Sequence, residues 1–417
     1  MHFIVASNGS FGDVHPFVAI AHALQARGHD VHLVSNPRYA ELAGDLDFLP
    51  ASTAEALART IATFDVSRTM SFSNMKGLMR GLIVEPTRDF YRAISAVHRP
   101  GESVVFAFPF TVAARLAHDA LGVPFVSGQL APSAFRSLQE PVRPTASRLP
   151  SWTPDFVLKG ALSMLDIAVD KAVLADLNPF RAELGLPPIR GAMRWADSPD
   201  KVLGLFPDWF GRPQADWPET VELTGFPHLT VRGGTLDEDL EAFLDSGPPP
   251  VLFTVGSPAQ GVGDFFAHAA QACTRTGRRA ILLTRFADDL PPNLPDTVHH
   301  VTFTDLGTLL PRCCCLVFHG GIGTAAQGLR AGLPLVVVPW GVDQFDNSHR
   351  LEQLGVAREV VFNRVTVDRL VEALDAVDQA DVRSRSAALA ARFPDDPNAA
   401  TCDALESFGE RALRARS

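Results

Sequence analysis

Cationic excess is the first thing this chain lacks: 37 Lys and Arg stand against 47 Asp and Glu, a formal charge of −10. Holding a nucleic-acid phosphate backbone requires a basic footprint, so nucleic acid is not an expected partner. Long apolar runs are missing as well; none reaches the ~18 residues that a membrane-crossing helix needs. Met1 leads straight into a strand-like run with no basic stretch and apolar core of a secretory leader. The expectation is a cytoplasmic protein with no transmembrane segment. Cysteine is sparse: Cys313, Cys314 and Cys315 are consecutive, and Cys273 and Cys402 stand alone. No C-x-x-C pair and no histidine at ligand spacing accompanies them, so they read as buried thiols and no metal site is expected.

What is present belongs to an ordinary globular chain, 46% apolar and 20% charged. At 417 residues it exceeds one core, and a domain of ~100–200 residues implies two. The opening reads strand (HFIVASN), glycine loop (GSFGDVHP), amphipathic helix (FVAIAHALQARG, closed by Gly28) and strand (VHLVSN). Further strands, SVVFAF at 103–108 and VPFVSGQ at 123–129, flank a helical TVAARLAHDALG. Such alternation predicts an α/β sheet with helices on both faces. Near residue 250 the pattern restarts as strand, Gly256-Ser257, helix and strand, echoing Gly9-Ser10 after the first strand. Two Rossmann-like domains in series follow, at 1–226 and 248–396, joined by a Gly- and Pro-containing linker at 227–247. The proline-rich 141–200 region, around a helical stretch at 155–175, reads as an insertion, either pocket-forming or a plain excursion.

The sharper signal lies in LVFHGGIGTAAQGLRAGLPLVVVPWGVDQ (316–344). A strand ends at His319, two glycines follow, Gly323-Thr324 opens a helix, and a second strand delivers Trp340 and Asp343-Gln344. Glycines let backbone N–H groups approach a ligand and a helix N-terminus favours negative charge, so this is an anion site with His319 as an added donor. The ensemble HGGxGT, helix, AGxP, strand and Asp-Gln resembles the donor signature of the GT-B nucleotide-sugar glycosyltransferases, family 1 type. The likeness spans the chain, including the N-terminal GD-V-x-P loop. Within that family, LFPDWFGRPQADWPETVELTGFP (205–227), GDVHPF and DQFDN look most like the bacterial rhamnosyltransferases of rhamnolipid synthesis.

The resemblance implies a GT-B fold, two Rossmann-like domains facing across a cleft, with the final helix (397–417) crossing back to the first. It implies that His319, Gly321, Gly323, Thr324 and, from the opposite side, Ser257 hold the donor diphosphate. Phe303 would stack on the base, with Thr304 reading its edge, and Asp343 and Gln344 would bind sugar hydroxyls. Phe303 also has a plain core reading, and Asp343-Gln344 a helix-cap reading.

Sugar transfer to a hydroxyl needs a base, and the family places it directly after the glycine of G-[H/D]-V-x-P, here Asp13. His15 falls on the variable position before Pro16. Relatives with a His base pair it with a downstream Asp; here Phe108 stands at that position. An Asp base needs no such partner and gains basicity in an apolar setting. Asp13 is therefore the expected base, with His15 and Phe108 as neighbours in the acceptor pocket. The alternative is that Asp13 merely caps a helix starting near Pro16.

Four rivals are weaker. The loop GSFGDV is not G-x-G-x-x-G and the second strand ends in Ser35-Asn36 without a ribose-binding acid, which speaks against a dinucleotide oxidoreductase. A GT-B epimerase or a non-catalytic GT-B activator would share the architecture. The Asp-x-Asp of metal-dependent transferases has only poor candidates: Asp45-Leu46-Asp47 in a polar loop, and Asp237-Glu238-Asp239 at a helix start. No cofactor or metal is expected beyond the nucleotide-sugar co-substrate, a dTDP- or UDP-sugar of rhamnose or glucose type. Residues 62–86 would line an apolar acceptor pocket or form helix core. A lipid acceptor would bring peripheral membrane contact.

Overall fold

Two parallel sheets carry the chain. The computed structural model describes residues 1–62, 72–143, 145, 153–229, 236–256, 262–341 and 343–415. The first sheet contains β1 (His2–Ser7), β2 (Asp30–Ser35), β3 (Asp47–Pro50), β4 (Ser103–Ala107), β5 (Phe125–Gln129), β6 (Lys201–Gly204) and β7 (Val221–Leu223), in the order β3-β2-β1-β4-β5-β6-β7. The second contains β8 (Val251–Thr254), β9 (Ala280–Leu283), β10 (Val298–Val301), β11 (Cys315–Phe318), β12 (Leu335–Val337) and β13 (Ala357–Glu359), in the order β10-β9-β8-β11-β12-β13. Strands β1, β4 and β5 are buried along their whole length, as expected when helices cover both faces. Each sheet reverses its winding once, between β1 and β4 and between β8 and β11. Ligands of open α/β sheets bind in the crevice outside the strand C-termini at that reversal. The loops after β1 and β11 begin at those crevices.

Five helices matter for the site: α1 (Phe11–Ala26), α2 (Asp155–Glu183), α3 (Ile322–Arg330), α4 (Gln344–Gln353) and α5 (Ala399–Arg414). α1 begins at Phe11, not near Pro16. Ser10 and Asp13 form a capping box that starts the helix early, and Pro16 in the second turn removes only one backbone bond. Within 62–86, residues 63–71 lie outside the described ones, and Ile83 packs as core in one cluster with Val112, Leu116 and Val173. In 227–247, residues 230–235 likewise lie outside. Asp237 caps the following helix through the Leu240 amide at 2.7 Å.

α5 lies on the first domain. Arg27, directly after α1, reaches Asp403 at 2.6 Å and Glu406 at 3.0 Å, while Gly409 packs closely on Met1 and Val104. A second set of contacts clasps the domains directly. Arg143 forks onto Glu359 with two bonds of 2.9 Å, and its backbone N–H donates to Asp346 at 3.2 Å. Arg350 of α4 spans Asp346 at 2.8 Å and Glu140 at 3.0 Å. Arg143 and Glu359 are only 9% and 11% exposed, so removing one strands the other's charge. Arg143→Leu should therefore lower stability by about 3 kcal/mol, read as an earlier denaturant midpoint followed by the fluorescence of interface residue Trp209. An unchanged midpoint would show that the clasp holds nothing together.

Candidate active site

The loop after β1 is shaped around Asp13. Ser10 donates to Asp13 Oδ2 twice, from its backbone N–H at 2.7 Å and from its hydroxyl at 2.8 Å. Asp13 thus completes the cap of α1 with one oxygen, while Oδ1 has no hydrogen-bond donor among the described residues. The carboxylate can fold back because residue 9 is glycine: its φ is +135°, and a Cβ there would lie 2.5 Å from Oδ2. Burial in the cleft raises the Asp13 pKa above its ordinary value, against the lowering effect of the two Ser10 bonds.

Across the cleft, the loop after β11 is shaped around His319. Its imidazole lies over Gly321, where a Cβ would sit 2.4 Å from Nε2, and against Gly256, where one would sit 2.8 Å from Cε1. Trp340 runs nearly parallel to it, 6.5 Å between ring centres and 19° apart. Burial lowers the His319 pKa to about 4, so the ring is neutral at physiological pH and acts as a hydrogen-bonding group. Gly321 caps α3, and the amides of Ile322, Gly323 and Thr324 precede the first helical bond, Ala325 N–H to Gly321 O at 3.0 Å. A Cβ on Gly323 would stand 3.8 Å from Gly12 Cα, so the N-termini of α1 and α3 meet across the cleft.

Asp343 precedes α4 without capping it; its Oδ2 accepts from Asn347 Nδ2 at 2.8 Å. Burial raises its pKa to about 6, and the charges of Asp13 and Asp346 push the same way. Gln344 is 4% exposed, and its Oε1 is engaged by the N–H groups of Trp340 at 3.0 Å and Gly341 at 3.4 Å, bracing the turn that carries Trp340. Asn347 also donates to Gly320 O at 3.0 Å, tying the His319 loop to Asp343.

Phe303 is 68% exposed, with Thr304 half-buried beside it. Ser257 lies outside the described residues. Phe108 is a core residue, 8% exposed, its ring 5.0 Å from that of Phe110 and 6.1 Å from that of Phe17. His15 packs edge-on against Phe11 at 5.2 Å, its Nε2 is buried without a partner, and the carboxylate acting on it is Asp305 of the second domain. Ser10 and Asn347 were missed by sequence reasoning, although the S-x-x-D spacing of Ser10 and Asp13 spells a capping box. Among the described residues the one His/Asp trio close enough to share a cation is His2, Asp30 and His32, at the opposite strand ends from this cleft.

Known proteins match both halves. Residues 3–137 match the glycosyltransferase family 28 N-terminal domain, and residues 280–403 match the erythromycin biosynthesis protein CIII-like C-terminal domain. The O-mycaminosyltylonolide 6-deoxyallosyltransferase of Streptomyces fradiae is 30% identical over 391 residues, 87% of this chain and 86% of the relative. Among solved structures, the glycotransferase of kitacinnamycin superposes with a TM-score of 0.73 at 21% identity, covering 99% of each chain. Glycosyltransferase VinC in complex with dTDP gives 0.65 at 20% identity, covering 99% of this chain and 100% of that one.

The Asp343 pKa yields a prediction. A carboxyl raised in the folded state costs stability once it ionises, so the cost appears above its ordinary value and is complete above about 6. Asp343→Asn should gain stability relative to the wild type as pH rises from 4 to 7, measured by thermal melting at each pH. A constant difference between the two proteins across that range would contradict the placement.

Proposed function

The chain belongs to the GT-B nucleotide-sugar glycosyltransferases of natural-product pathways, and on that premise we propose that it performs inverting O-glycosylation with Asp13 as general base. One observation carries the proposal. Asp13, with no donor on its Oδ1 among the described residues, stands in the first turn of a helix whose Gly12 approaches Gly323, at a helix end whose first three amides have no partner among those residues. A base and an anion site on opposite walls are what a single displacement requires. Asp13 would take the proton of the acceptor hydroxyl as that oxygen attacks the anomeric carbon. The leaving diphosphate would gain charge while held by the amides of Ile322, Gly323 and Thr324, by neutral His319 and by Ser257. Phe303, with its face open, would stack on the base beside Thr304, and Asp343 would bind a sugar hydroxyl. Gln344 would act mainly by holding the Trp340 turn.

The donor is a dTDP- or UDP-sugar of rhamnose or glucose type; the dTDP complex of VinC and the 6-deoxy sugar named for the Streptomyces relative favour a dTDP-6-deoxyhexose. The acceptor is a small apolar hydroxyl compound, a natural product or a lipid such as a β-hydroxy fatty acyl chain. Thermal-shift screening against dTDP- and UDP-sugars, followed by product mass spectrometry with such acceptors, tests both choices. Sugar rearrangement without acceptor would identify an epimerase instead.

Asp13→Asn should abolish turnover, with nucleoside diphosphate affinity within about threefold of wild type; an active variant would remove Asp13 from the mechanism. The wild-type rate should rise with pH along a limb whose pKa lies above the ordinary carboxylate value, since Asp13 must be ionised to act. Activity should also survive EDTA, because helix amides and His319 receive the leaving group. Loss on chelation that Mg²⁺ restores would contradict this.

A further inference from the structure

Two guanidinium groups, one from each domain, meet at the ring of Phe11, the first residue of α1. The Cζ atom of Arg38 lies 5.3 Å from the ring centre and that of Arg285 lies 5.8 Å away. Among the described residues neither has a carboxylate partner, in a chain where acids outnumber bases. Two like charges are thus brought to one aromatic ring at the domain boundary with no carboxylate among the described residues to neutralise them, an arrangement that favours an anion beside them. Their surroundings locate that anion. Phe11 stacks edge-on against Tyr39 at 5.1 Å, and Tyr39 Oη donates to Gly9 O at 2.7 Å, in the loop that seats Asp13.

Arg285 follows β9, which lies between β10, leading to the exposed Phe303, and β8, beyond which β11 leads to His319. With strands about 4.8 Å apart, the root of Arg285 is two strands, roughly 10 Å, from the His319 loop, and its extended side chain covers much of that gap. An anion at Arg38 and Arg285 therefore lies on the line from an open aromatic face to an unpaired helix N-terminus.

We propose that Arg38 and Arg285 form a clamp, drawn from both domains, that closes on the diphosphate of the nucleotide donor. Resting on the glycosyltransferase reading, it adds a donor contact from the first domain. An empty clamp leaves two like charges side by side at the boundary; a diphosphate offsets both.

The test is calorimetric titration of wild type, Arg38→Gln and Arg285→Gln with dTDP, UDP, the matching monophosphates and the free nucleosides at two salt concentrations. Each substitution should weaken diphosphate binding about tenfold, weaken nucleoside binding little, and flatten the salt dependence. Thermal melting of each variant checks that the fold is retained. Unchanged diphosphate affinity in Arg38→Gln would overturn the clamp. A variant that keeps nucleotide affinity but loses only acidic acceptors would assign the pair to the acceptor and overturn it equally. If the wild type binds no nucleoside diphosphate, the functional reading itself fails, an outcome separable from loss of the arginine effect alone.

Discussion

The structure depends on the meeting of two helix N-termini. α1 and α3 each bring an unsatisfied, electropositive end to the reversal point of their sheet, and the two ends touch at Gly12 and Gly323. Facing ends of the same sign repel, and the two domains resolve the conflict differently. The first neutralises its own end with Asp13. The second leaves its amides open, so a ligand's negative charge completes what the chain omits. The asymmetry between base wall and anion wall is thus a matter of which helix carries its own carboxylate.

Such a contact must be held by something else, and the Arg143–Glu359 and Arg350–Asp346–Glu140 contacts do so from the far side of α4. α4 is shared by both tasks. Its first turn positions Asp343, Gln344 and Asn347, and its middle supplies Asp346 and Arg350 to the clasp. Displacement of one domain would be transmitted along one helix to the loop beneath His319.

The parallel sheets were legible because strand, glycine loop and helix recur with clear periodicity, and HGGIGT named its own anion site. The start of α1 was misread because Pro16 suggests a first-turn position, whereas the Ser10–Asp13 pair outweighs it locally. The surroundings of Phe108 and His15 were not legible for another reason: the packing of Phe108 on Phe17 and Phe110, and of His15 on Phe11, joins partners chosen by the tertiary fold. The pairing of Arg38 with Arg285 could not be read at all, since 247 positions separate them and only the approach of the domains unites them.

The hold of α5 on α1 has a consequence for the order of events at the ribosome. Arg27 and the floor beneath Met1 and Val104 receive their covering from residues 399–414, which are made only after the second domain. The first domain can gather its sheet early, but one flank stays bare until the second domain has emerged and folded. A nascent chain of this protein therefore carries an unfinished first half for as long as the second is being made, and completes the two together.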